Sequence, residues 1–79
     1  MSKSNYLKEL VLRIESLFSN YSVTLIYGRD DDVTEMIIHA NNNIFSAGFL
    51  QFLFDRIQGW LVIFRCDDTD RPVIKIYVS

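Results

Sequence analysis

The feature that most constrains this chain is a strongly apolar segment, residues 44–60, just past the middle of the sequence. Its spacing predicts a helix over residues 45–58. At about 100° per residue, the apolar side chains cover an arc of roughly 200°, more than a helix on one face of a sheet needs. These side chains are Phe45, Phe49, Leu50, Phe52, Leu53, Phe54, Ile57 and Trp60. Either the rest of the chain surrounds this helix, or a partner covers the excess.

The segments on either side of this helix follow helix and strand patterns. Residues 6–19 carry one apolar stripe at helical spacing, with Ser4 or Asn5 placed to cap the helix. Alternation of apolar and polar residues predicts strands over residues 22–28, 33–40 and 73–78. Residues 60–66 are apolar almost without a break, which predicts a strand in the centre of the sheet.

The order of elements repeats along the chain. Four apolar positions of the first helix precede those of the second by 39 residues, and the acidic pair Asp30-Asp31 precedes Asp67-Asp68 by 37. A length of 79 residues suits a single domain over residues 1–79, built from αββ units at 5–40 and 44–79. We therefore predict an α+β fold of order αββαββ, a four-stranded antiparallel sheet with two helices on one face.

Charge and cysteine content narrow the classes of function. A formal net charge of −2, with eight scattered Lys and Arg residues, argues against direct binding of nucleic acid. One cysteine, Cys66, excludes an internal disulfide. No hydrophobic signal core or membrane-spanning run is visible in the sequence. We expect a soluble protein of the cytoplasm, in a bacterial or infected host cell, that needs no cofactor or metal.

Two predicted turns concentrate the acidic residues. Six of the ten acidic side chains lie in them, namely Asp30, Asp31, Asp32, Asp67, Asp68 and Asp70. They form either solvated hairpin turns, each with a neighbouring arginine, or a patch that binds a basic surface of another protein. Neither turn has the Asp spacing, the glycine and the closing glutamate of a calcium-binding loop.

A second candidate surface is the sheet face that the helices leave uncovered. If Met36 and Ile38 face the helices, the other face carries Ile26, Glu35, Ile37, His39, Lys75 and Tyr77. The strand at 60–66 adds either Leu61, Ile63 and Arg65 or Val62 and Phe64. Phe52 and Arg56 of the central helix are further candidates. Apolar residues on such a face either mark an interface or are scattered singly, and Arg56 either anchors a partner or covers Phe52 and Trp60 with its own side chain.

His39 and Cys66 are the only imidazole and the only thiol in the chain. If the second and third strands were neighbours, these residues could form a nucleophile and base pair. The other interpretation is that both are ordinary strand residues. One Cys and one His cannot form a closed four-ligand zinc site.

The first hairpin carries Tyr21-Ser22-Val23-x-Leu25, a polar turn and then Val33-Thr34-Glu35-Met36-Ile37-Ile38-x-x-Asn41-Asn42, and Gly59-Trp60 follows the predicted central helix. In these segments the chain resembles a family of small phage anti-CRISPR proteins that inhibit Cas9. The resemblance implies an acidic α+β protein that occupies the DNA-binding surface of its target. Members of that family carry a third strand before the second helix and end in a helix, whereas this chain is predicted to end in a hairpin.

These observations favour a small non-enzymatic protein-binding module, in its narrowest form a phage-type inhibitor that docks on a host or defence protein. The partner would be another protein, with a basic surface if the acidic turns make the contact. Two alternatives remain open. One is a homodimeric structural or adaptor protein, and the other is a small enzyme or ligand carrier that uses His39 and Cys66.

Overall fold

The computed structural model describes residues 3–78 and confirms the predicted α+β order αββαββ. The elements are α1 (Lys3–Leu17), β1 (Tyr21–Tyr27), β2 (Val33–Ala40), α2 (Ala47–Arg56), β3 (Leu61–Cys66) and β4 (Pro72–Tyr77). The predicted bounds of β2 are correct, and those of the other elements differ by one to three residues. Helix α2 begins two residues later than predicted because Ser46 is its N-cap and accepts a hydrogen bond from the Phe49 N–H.

Ser4 and Asn5 lie inside α1, so the prediction that one of them caps this helix is wrong. The Ser4 hydroxyl instead accepts a hydrogen bond from the Val33 N–H, at 3.1 Å. This bond joins the beginning of α1 to the beginning of β2.

The four strands are antiparallel and lie in the order β1-β2-β4-β3. Strand β3 is therefore at an edge, and the prediction that it is central is wrong. The apolar run of β3 does not reflect burial on both sides of the strand, because Leu61 and Phe64 are 60% and 59% exposed. An unbroken apolar run shows that both sides of a strand are apolar, but not that both sides are covered.

The pairing of the two central strands has an internal symmetry. Ile37 pairs with Lys75, and on either side of this pair Glu35 pairs with Tyr77 and His39 with Val73. A shift of 38 residues relates Glu35 to Val73 and His39 to Tyr77, so it converts each of the last two pairs into the other. The two αββ units are thus related by an approximate two-fold axis that passes through the sheet between β2 and β4.

Both helices pack on the same face of the sheet and enclose the core there. Equivalent positions of the two units are both buried: Leu10 and Phe49, Ile14 and Leu53, Met36 and Ile74, and Ile38 and Ile76. The wide apolar arc of α2 is covered largely within the chain. Its additional aromatic and aliphatic side chains pack against the core, namely Phe45, Leu50, Phe52, Phe54 and the following Trp60.

Candidate interaction surface

Side-chain alternation places twelve residues on the face of the sheet opposite the helices, which we call the outer face. The strand register arranges them in three rows that cross the sheet from β1 to β3. The rows are Ile26, Glu35, Tyr77 and Leu61; Thr24, Ile37, Lys75 and Ile63; and Ser22, His39, Val73 and Arg65. All six sheet-face residues predicted from the sequence lie here, and β3 contributes Leu61, Ile63 and Arg65.

An apolar patch occupies much of the outer face. Half of its twelve residues are apolar or aromatic: Ile26, Ile37, Leu61, Ile63, Val73 and Tyr77. Val73 is only 3% exposed although it lies on this face and outside the core cluster. Charged and polar side chains lie among and around these residues. The apolar residues are thus interspersed with polar ones, and three of them, Ile26, Leu61 and Ile63, lie on the two edge strands.

An open depression of about 330 Å³ lies at one end of the outer face. Its lining includes cationic and acidic side chains as well as Val73: Ile37, His39, Arg65, Cys66, Asp67, Asp68, Val73 and Lys75. Charges of both signs lie close together here. The depression therefore has no single charge preference for a small ligand.

Asp67 organises the turn beside this depression. Its Oδ1 accepts three hydrogen bonds, from the Thr69 N–H at 2.8 Å, the Thr69 hydroxyl at 2.7 Å and the Arg71 N–H at 3.0 Å. Its Oδ2 lies 3.8 Å from His39 Nε2. The hydrogen bond from the Thr69 side chain, followed by the one from the Arg71 N–H, lowers the pKa of the Asp67 carboxyl. Asp67 thus has a structural role in the turn.

The geometry does not support the proposed pairing of His39 with Cys66. The prediction required β2 and β3 to be neighbours, and β4 lies between them. His39 shares its row with Val73 and Arg65, whereas Cys66 alternates to the other side of β3. Cys66 is an exposed free thiol.

The two acidic turns lie at opposite ends of the sheet. The turn at 29–32 joins β1 to β2 beside the row of Glu35 and Tyr77, and the turn at 67–71 joins β3 to β4 beside the row of His39 and Val73. The six acidic residues therefore form two separate clusters of three.

Backbone geometry favours aspartate at three of these six positions. Asp30, Asp31 and Asp70 have φ angles of 61°, 59° and 61°, in the left-handed region that Asp and Asn adopt more readily than most residues. Within residues 3–78, no group of three or more His, Cys, Asp or Glu side chains is arranged to hold a metal ion.

Phe52 and Arg56 lie in the helix layer, on the opposite side of the molecule from the outer face. The Arg56 guanidinium stacks 3.7 Å from the centre of the Phe52 ring and donates a hydrogen bond to the Phe52 carbonyl at 2.9 Å. The Tyr6 hydroxyl donates to the Arg56 carbonyl at 2.7 Å. Arg56 therefore covers Phe52 within the chain, and the two residues do not belong to the same surface as the predicted sheet residues.

In the part of the chain that the structure describes, no helix is long and apolar enough to cross a membrane.

The edge position of β3 is the feature that sequence reasoning missed, because strand order depends on pairing between distant segments. Comparisons with protein-family models, with curated proteins and with solved structures found no match to this chain.

Proposed function

We propose that this chain is a non-enzymatic protein-binding module that docks on another protein through the outer face of its sheet. The observation that carries the proposal is the apolar patch on this face, which neither helix covers within residues 3–78. A sheet face that meets water normally carries polar side chains at alternating positions. Here half of those positions are apolar, and exposed apolar patches mark interaction sites.

The shape of the face supports a protein partner over a small molecule. Small-molecule sites are usually enclosed, mostly apolar and furnished with a few convergent polar groups. The depression beside Val73 is open and lined by opposing charges. A broad surface of this kind offers more area to another protein than to a metabolite.

The charges of the face indicate the chemistry of the partner. Arg65 and Lys75 outnumber Glu35, so the twelve outer-face residues carry one excess positive charge, although the whole chain carries −2. The surface that complements this face is apolar and bears acidic side chains.

The inhibitor form of the proposal makes a narrower claim, that docking prevents the partner from binding nucleic acid. The outer face has the wrong charge to mimic DNA, so any mimicry would fall to the acidic turns. These turns lie at opposite ends of the sheet, and a basic surface would meet three acidic residues at each end. A Cas9 DNA-cleavage assay with the purified chain tests this form directly: cleavage that continues unchanged at saturating concentrations removes it and leaves the broader proposal in place.

A substitution that introduces a charge in the middle row of the outer face tests the broader proposal. Ile37→Asp should weaken binding to a captured and purified partner by about tenfold or more, because it places a carboxylate in an apolar contact. Leu12→Asp is the matched control, since Leu12 lies on α1 and is 68% exposed. Titration calorimetry measures both affinities, and circular dichroism checks that both variants are folded.

Lys75→Glu provides a second variant that keeps the patch apolar. Reversal of this charge should weaken binding to an acidic partner, and the loss should shrink as salt is added. The proposal is overturned if Ile37→Asp and Lys75→Glu both bind as the wild type does. It also fails if the chain shows a measurable activity that disappears in a folded His39→Ala, Cys66→Ser double variant.

A further inference from the structure

Strand β3 is an open edge with exposed apolar residues on both of its faces. It pairs with β4 on one side, and on the other side no strand of residues 3–78 lies beside it. Leu61 projects on the outer face and Phe64 on the helix side, where its ring lies 6.2 Å from that of Phe54. A protein that covered one face of the sheet would bury only one of these two side chains. A strand added in the plane of the sheet would contact both.

The other edge of the sheet is protected in ways that β3 is not. Strand β1 has an irregularity between Ile26 and Tyr27, and helix α1 packs against this strand. The Lys8 ammonium group also lies over the Tyr27 ring, at 5.9 Å. Bulges and charged side chains are common means of preventing pairing at an edge strand. The register of β3 with β4 is regular over all six residues, and Arg65 is the one charged side chain in this strand.

We propose that β3 pairs antiparallel with β3 of a second copy, about a two-fold axis that passes near Ile63. The strand is self-complementary in this register. Val62 lies opposite Phe64 on the helix side, and Leu61 lies opposite Arg65 on the outer face. Both large exposed side chains thereby gain a neighbour from the other copy.

The charge on β3 favours this register. Arg65 is the only charged residue of the strand. Pairing about Ile63 separates the two copies of Arg65 by four residues along the strand, about 13 Å, which exceeds the screening length of about 8 Å at physiological salt. Pairing about Arg65 would instead place like charges directly opposite each other.

The result is a continuous eight-stranded sheet with all four helices on one side. The two outer faces become one surface that carries two copies of the apolar patch. This inference rests on the β3 edge alone, so its test is independent of the proposed docking function.

Light scattering across a dilution series, in reducing agent, tests the proposal. The wild type should shift from monomer to dimer as concentration rises. Leu61→Lys should stay monomeric at the same concentrations, because it places a lysine opposite Arg65 of the other copy. Leu12→Lys makes the same change at an equally exposed site on α1 and should dimerise as the wild type does. A wild type that is monomeric throughout, or two variants that behave alike, would overturn the proposal.

Cross-linking tests the register independently. In a Cys66→Ser background, Ile63→Cys should form an intermolecular disulfide on mild oxidation. Opposed residues of antiparallel strands have Cα atoms about 4.5–5.5 Å apart, within the range that a disulfide spans. Leu12→Cys in the same background should remain monomeric on a non-reducing gel. Failure to cross-link at position 63 in a preparation that is dimeric by light scattering contradicts pairing of β3 about Ile63.

Discussion

Tyr21 connects the two halves of the chain through one hydroxyl group. The residue is buried at the beginning of β1, and its oxygen accepts a hydrogen bond from the Ser46 N–H at 2.8 Å. Its ring stacks on Phe49 with 3.8 Å between ring centres. A side chain of the first αββ unit thus orders the residue that caps the helix of the second.

Tyr21→Phe should lower the free energy of unfolding by about 1–2 kcal/mol, because it retains the ring but leaves a partly buried N–H without its acceptor. Urea denaturation measures the change. Tyr77→Phe is the control, since Tyr77 lies on the outer face, and it should change stability by less than about 0.5 kcal/mol. Equal losses in the two variants would show that the Tyr21 hydroxyl has no special role.

The carboxyl group of Asp67 should make the free energy of unfolding depend on pH. Hydrogen bonds to its carboxylate lower the folded-state pKa below the ordinary value of 3.8. The carboxylate therefore stabilises the fold above the unfolded pKa, and this contribution is lost as the pH falls through the folded pKa.

The test compares urea midpoints at pH 7 and pH 3. Asp67→Asn should reduce the difference between the two midpoints relative to the wild type, because the amide does not titrate. Asp68→Asn removes the same charge from the next position of the turn and serves as the control. A wild type and an Asp67→Asn variant with the same acid sensitivity would rule out this role.

At the scale of elements, the turn between β1 and β2 shows how its residues determine a hairpin. The Asp32 N–H donates to the Arg29 carbonyl at 3.3 Å, and the intervening Asp30 and Asp31 both have positive φ. Two consecutive left-handed residues characterise a type I′ turn, which suits the twist of a hairpin and prefers Asn-Gly. Asp30-Asp31 adopts this conformation with less favourable residues.

Asp31→Gly should therefore raise the free energy of unfolding by about 0.5–1 kcal/mol, because glycine adopts the left-handed region without steric cost. Thermal and urea unfolding measure the gain. Asp32→Gly is the control at an extended position, φ −79°, where glycine only adds freedom to the unfolded chain and should destabilise. Stabilisation by both substitutions would indicate that loss of acidic charge, not turn geometry, is responsible.

Sequence patterns predict the elements better than their arrangement. Alternation along β2 correctly assigns Met36 and Ile38 to the core and Ile37 and His39 to the outer face, since strand sides follow directly from a period of two. Strand order has no such local signal. The predicted central position of β3 is therefore wrong, and β2 and β3 are not neighbours, as a pair of His39 and Cys66 would require.

At the scale of the whole molecule, the candidate surface could be predicted in part. The repeat of about 38 residues predicts two αββ units, and the elements follow this order with matching core positions buried. The relative placement of surfaces follows only from the sheet register. That register separates the two acidic turns and places Phe52 and Arg56 on the opposite side of the molecule from the outer face.

The approximate two-fold axis between β2 and β4 makes the chain comparable to a dimer whose subunits are joined covalently. Residues 41–46 are then a tether, and its length sets the effective concentration of one half around the other. A longer tether should cost little, since loop-closure entropy rises by only about 0.6 kcal/mol for each doubling. A tether too short to reverse direction would instead favour exchange of halves between two chains. Whether this sheet closes within one molecule or between two is thus decided by the six residues that link β2 to α2.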